Sequence, residues 1–175
     1  HKLRVKQQNA QIAYQKAVVA GREAVDAQDW KAAIDHLTKA VEHDPTDREL
    51  QGLLTRANAE RTHRDALRKG DDLFARGRLE EALKILSAIP GTSAHQAEAT
   101  EKLKEIRGRL SKRYYEDGVT AYRKQRYKDA HELFAKCLET DPSNGDALKR
   151  IRRTERKLQR KRVAFEPWSP GGGGP

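Results

Sequence analysis

The chain has no methionine, one cysteine, six prolines, and few aromatics: two Trp, five Tyr and three Phe. Each shortage excludes something. No uninterrupted apolar run approaches the roughly 18 residues a membrane-spanning helix needs, and no signal-peptide h-region is visible. With Cys137 alone, no internal disulfide can form, and a buried, inert thiol is expected there. HExxH, CxxC, P-loop and GxGxxG patterns are all missing. The histidines at 1, 36, 43, 63, 95 and 131 are scattered. The paired carboxylates Asp71-Asp72 and Glu80-Glu81 fall on helix positions expected to be exposed, without the burial that tunes a catalytic pKa. No catalytic residue, metal site or cofactor is therefore expected, and the chain does not read as an enzyme. A start at His1 without Met, and a Pro/Gly end, read as a soluble piece of a larger multidomain protein, cytoplasmic or periplasmic. The usage rich in Arg and Ala suits a bacterial source.

Charge is what the sequence has in abundance. Charged residues make up 35% of the chain and its net charge is +10, with a mean hydropathy of −0.96. Such polarity suits thin helical layers with much exposed surface. The excess is local. Lys149, Arg150, Arg152, Arg153, Arg156, Lys157, Arg160, Lys161 and Arg162 face one acid, Glu155, so this stretch carries +8 of the +10. The rest of the chain is close to neutral.

The second abundant feature is self-similarity, the first thing to seek in a helical sequence. Gly21, Gly70 and Gly118 are spaced by 49 and then 48 residues, and so are Trp30, Leu79 and Tyr127. Ala33, Ala82 and Ala130 share that step, as do Leu37, Leu86 and Phe134. Apolar residues recur at helical spacing throughout and no stretch alternates like a strand, so the fold class is all-α. A long helix over 1–28 with Ile12, Ala13, Ala17, Val18, Ala20, Ala24 and Val25 inward precedes a short one over 30–42. Asp44-Pro45 ends that one, and Thr46 or Asp47 caps the next. The second long helix spans 47–76, and its partner spans 79–89. The third begins at Thr92 or Ser93 and reaches Gln125, followed by 127–139. A last helix over 146–163 carries the basic run, with Leu148, Ile151 and Leu158 inward. Pro167-Trp168-Ser169-Pro170 and four glycines make 164–175 a flexible tail.

These residues resemble the tetratricopeptide repeat (TPR). Gly21, Trp30, Ala33, Leu37, Ala40 and Pro45 match its pattern, as do Tyr114, Gly118, Tyr127, Ala130, Phe134, Cys137 and Pro142. Gly70, Leu79, Ala82 and Leu86 match too, but Ile89 stands where a small residue is expected and Pro90 comes early. The resemblance covers about 14–47, 63–90 and 111–144. It implies a TPR-like α-solenoid of three helical hairpins over 1–163, closed by the 146–163 helix as a cap. The family repeats every 34 residues, whereas this chain adds 14 or 15 per unit. That is about four helical turns, which keeps the buried stripe in phase and lengthens each first helix. A break near Gly52 or Arg107-Gly108, giving three helices per unit, is the alternative.

The resemblance also implies a function: a non-enzymatic scaffold or adaptor that docks a peptide segment or helix of another protein within a larger assembly. The positions that line the family's groove are Val18, Arg22 and Val25; Leu67, Asp71 and Phe74; and Tyr115, Val119, Tyr122 and Arg123. The Asn and Lys set that clamps a C-terminal carboxylate in some members is missing, which disfavours chaperone tails. The face is mixed apolar and aromatic, suited to an amphipathic helix or extended segment, and Tyr115 and Tyr122 are its best contact residues. The alternative partner is anionic: nucleic acid, an acidic protein or a membrane surface on the basic patch from Lys149 to Arg162. Nucleic-acid sites interleave stacking aromatics, and none lies within that patch.

Overall fold

A computed structural model describes residues 2–165, with side chains as far as Lys161. The described residues form seven α-helices and no strand: α1 (Lys2–Asp26), α2 (Trp30–His43), α3 (Arg48–Ala75), α4 (Leu79–Ser87), α5 (Gln96–Arg123), α6 (Tyr127–Thr140) and α7 (Gly145–Phe165). Helices α3 and α5 each run 28 residues without a break. Gly52 and Gly108 lie within them on open surface. The chain divides into two compact units, His1–Lys102 and Leu103–Pro175, the boundary falling inside α5.

The 49/48 step has a steric cause. A Cβ on Gly21 would come within 2.8 Å of Leu37 Cδ2, and one on Gly118 within 2.7 Å of Phe134 Cε1. One on Gly70 would collide with Leu86 in the same way. Each glycine thus leaves a hole in the long helix that a large side chain of the short helix fills, bringing the two backbones close. Leu37, Leu86 and Phe134 are fully buried in these seats, beside Ala33, Ala82 and Ala130. The extra turns hold the same phase. Leu50, Ala99 and Ala147 are buried, as are Ala57, Ile106 and Thr154, and both series follow the 49/48 step.

The turns between paired helices also repeat. Gln28, Gly77 and Gln125 all take a left-handed backbone, with φ of 56°, 73° and 58°. In each turn the next N–H reaches back to close the helix: Asp29 to Ala24 O (2.9 Å), Arg78 to Leu73 O (2.9 Å) and Arg126 to Ala121 O (3.0 Å). This is the Schellman ending, which favours glycine at the left-handed position. A side chain there costs roughly 1–2 kcal/mol, partly offset by its lower unfolded-state entropy. Gln28→Gly and Gln125→Gly are therefore expected to raise stability by roughly 0.5 kcal/mol each. Gly77→Gln is expected to lower it by about 1 kcal/mol. Denaturant midpoints that stay unchanged for all three would contradict this account of the turns.

The links between hairpins come in two kinds. In the first and third, Asp44 Oδ1 accepts from Thr46 N (3.0 Å) and Oγ1 (2.7 Å), and Asp141 Oδ1 from Ser143 N (3.0 Å) and Oγ (2.6 Å). These two bonds hold Asp44 below the usual carboxylate range. Asp47 then caps α3 through the N–H groups of Glu49 and Leu50, and Asn144 caps α7 through Ala147 N (3.0 Å). The second link, where Pro90 comes early, lacks this device. There Glu60 of α3, itself buried, accepts from Ser93 Oγ (2.7 Å) and Ala94 N (3.2 Å). His95 accepts from Trp30 Nε1 at 3.3 Å. α5 accordingly starts at Gln96, later than Thr92 or Ser93.

Three expectations need correction. Ile12 and Ala13 are exposed, and packing on α1 begins at Tyr14, whose ring stacks on His43 at 4.8 Å. Leu148 of α7 is 42% exposed, and the inward face is instead Ala147, Ile151, Thr154 and Leu158. A buried threonine is tolerable because its hydroxyl donates to Arg150 O at 2.8 Å, leaving a methyl to pack. Finally, α7 continues to Phe165, two residues into the stretch expected as tail. Residues 166–175 lie outside the described residues.

Candidate partner-binding site

In the first unit the predicted groove residues are largely used for packing. Val25 belongs to the core formed with Ala24, Trp30, Leu37 and Leu50, and Val18 packs against it. Leu67 is buried. Arg22 is exposed and pairs with Glu49 at 2.8 Å. Half-buried Asp71 pairs with Lys102 Nζ at 3.1 Å, and the same ammonium lies 5.5 Å from the Phe74 ring centroid. Lys102 therefore ties together two of the residues expected on the α3 face.

The second unit differs. Tyr115, Val119 and Tyr122 lie at i, i+4 and i+7 of α5, on one face of the helix. All three pack against the core of Ala121, Ala130 and Phe134 while remaining half-buried. Tyr115 tilts against Phe134, with ring centroids 5.9 Å apart, and Tyr122 meets Tyr127 edge-on at 5.2 Å. Aromatic pairs of this geometry are held by more than area alone, so the rings are ordered before any partner arrives. Arg123 follows, exposed at the end of α5.

Helix α7 joins this face. Its far side is tied to α6 by His131 Nε2 and Glu155 Oε1, 3.3 Å apart. Ser111, Cys137 and Asn144 meet beneath it, with Ser111 Oγ 3.3 Å from the buried thiol. Its cations fall into groups that sequence reasoning did not separate. Lys149 pairs locally with Asp146 at 3.3 Å, Arg150 is half-buried, and Arg152 is exposed. Arg153 Cζ lies 5.8 Å from the centroid of Tyr122, and Lys161 Nζ 5.1 Å from that of Tyr127. Arg153, Arg156, Lys157 and Arg160 line a hollow of about 300 Å³. A larger cleft, about 480 Å³, opens between Gln125–Asp129 and α7, where Leu158 and Lys161 complete its wall. The Arg162 side chain lies outside those described.

Sequence reasoning thus missed one juxtaposition. The basic run holds no aromatic of its own, yet folding brings Tyr122 and Tyr127 onto it. The one available signal was the spacing of Tyr127 with Trp30 and Leu79, which placed it at the start of a packing helix.

Among the described residues, no group of three or more His, Cys, Asp or Glu side chains could hold a metal ion, and no helix is long and apolar enough to cross a membrane. Glu81 is engaged with Arg78 and Asp72 with Arg76. No protein-family model and no curated protein matches the chain. Among solved structures, the first TPR domain of the human RPAP3 protein is similar at 18% identity, over 89% of this chain and 97% of that one, with a TM-score of 0.31.

Proposed function

We propose that the chain is a TPR-like, non-enzymatic interaction module that docks a segment of a protein partner within a larger assembly. In this reading the hairpins over 14–47, 63–90 and 111–144 form the repeat domain and α7 caps it. The observation that supports this reading best is the half-open stripe of Tyr115, Val119 and Tyr122, preordered by Phe134 and Tyr127. Amphipathic rings held rigid, with charge at the rim, are what protein interfaces enrich. Burial of Val25 and Leu67 concentrates the candidate contact on the second unit.

A photoreactive residue placed at Val119 should cross-link one discrete partner, and the same residue at Gly52, on open surface, should not. Tyr115→Ala with Tyr122→Ala should abolish the cross-link. Equal capture from both positions, or capture that ignores the tyrosines, would sink the proposal.

A further inference from the structure

We infer that the α6–α7 side of the second unit binds an acidic protein segment, seating one of its apolar side chains in the cleft between Tyr127 and Leu158. This rests on the reading of the chain as a protein-interaction module and specifies the partner's chemistry. Arg153, Arg156, Lys157 and Arg160 stand at i, i+3, i+4 and i+7, which places them on one face of α7, around one hollow. No acid stands among the four, and Asp146, two turns back on the same face, is paired with Lys149. Glu155, the one acidic residue of the basic run, is turned to His131. The acid that lines the neighbouring cleft, Asp129, is already paired with Arg126 at 2.7 Å. Four cations held close together repel one another, and carboxylates spaced along a partner segment would relieve that repulsion while pairing with the arginine forks.

The neighbouring rings decide between acidic classes. A nucleic-acid strand would need free aromatic faces for its bases. Here Arg153 covers Tyr122, Lys161 covers Tyr127, and the two rings meet edge-on. Stacking a base would displace a cation from each ring. An anionic membrane would need protruding apolar side chains beside the cations to enter it. Leu158 and Tyr127 there are instead half-buried walls of a concave cleft, and exposed Leu148 lies off the face that carries Arg153, Arg156, Lys157 and Arg160. Concavity, an apolar wall and flanking cations together fit a carboxylate-rich segment with one apolar anchor.

The test uses the full chain and fluorescence anisotropy. The probes are a short labelled Glu-rich peptide with a central Leu, its version with Gln for Glu, its version with Ser for Leu, and a labelled oligouridine. Variant Arg156→Glu with Lys157→Glu changes two side chains at the hollow, with its fold checked by circular dichroism. The Glu-rich peptide should bind and weaken as salt rises. It should lose about tenfold or more on the reversed variant, since two attractive exposed pairs become repulsive. The Ser version should bind several-fold more weakly. The inference is overturned if the peptide fails to bind, if the reversed variant binds it equally, or if oligouridine binds more tightly and displaces it. Loss of peptide binding with retained Val119 cross-linking would refute this site and leave the module reading intact. Peptide binding without the Val119 cross-link would keep this site and the module reading, and remove the Tyr115–Tyr122 stripe as the contact.

Discussion

Phe134→Ala is expected to cost about 4 kcal/mol, the middle of the range for emptying a buried aromatic site. Phe134 has no exposed surface and fills the seat opposite Gly118, where its ring leaves no room even for a Cβ. Its fully buried neighbours are the Ala121 and Ala130 side chains, which are too short to move in and fill the space. Domains of this kind have about 5–15 kcal/mol in total, so the denaturant midpoint of the second unit should drop sharply. The loss should also reach the proposed interface, since Tyr115 leans on the same ring. A change below about 1 kcal/mol would mean the seat is not filled as described.

Glu60→Ala should cost about 3 kcal/mol, because it strands the Ser93 hydroxyl and the Ala94 N–H in a poorly hydrated place and removes a charged acceptor. Glu60 is 5% exposed. Burial alone would raise its carboxyl, but the Ser93 hydroxyl, the Ala94 N–H and nearby His63 together hold it below its ordinary value. Because folding lowers this pKa, the contribution is complete above the unfolded value of about 4.3 and disappears as pH falls through the folded value. The stability gap between wild type and Glu60→Gln, followed by thermal melts, should therefore be widest near neutrality and shrink on acidification below about pH 4. A gap that widens in acid would contradict the assignment.

Much of this architecture was legible in the residues. Gly21, Gly70 and Gly118 could be matched with Leu37, Leu86 and Phe134 from spacing alone, since a missing side chain and a large one on the same period imply a hole and its filler. The long helices were legible because neither Gly52 nor Gly108 is accompanied by a second breaker. What stayed hidden depended on contacts distant in sequence or on backbone shape. Gln28 and Gln125 give no hint of a left-handed backbone, because glycine occupies that place only at 77. Glu60 looks like any exposed helix charge until the Pro90 link folds over it. Thr154 looks less apolar than Leu148, yet it bonds its hydroxyl within its own helix and takes the inward place. At the candidate site, Tyr115 and Tyr122 could be singled out in advance, but the stacking of Arg153 and Lys161 on the Tyr122–Tyr127 pair could not. It joins residues of three helices.

A double-mutant cycle at Gly118 and Phe134 tests most directly whether a hairpin of this chain is closed by a glycine seat. Gly118→Leu alone should destabilise by about 3 kcal/mol through overpacking, and Phe134→Ala alone by about 4 kcal/mol. The gain in helix propensity from leucine enters both backgrounds and cancels in the cycle. If the two side chains compete for one space, the pair should be more stable than the sum of its parts predicts by about 2 kcal/mol or more. Additive losses, read from denaturant unfolding, would show that Phe134 does not occupy the Gly118 seat.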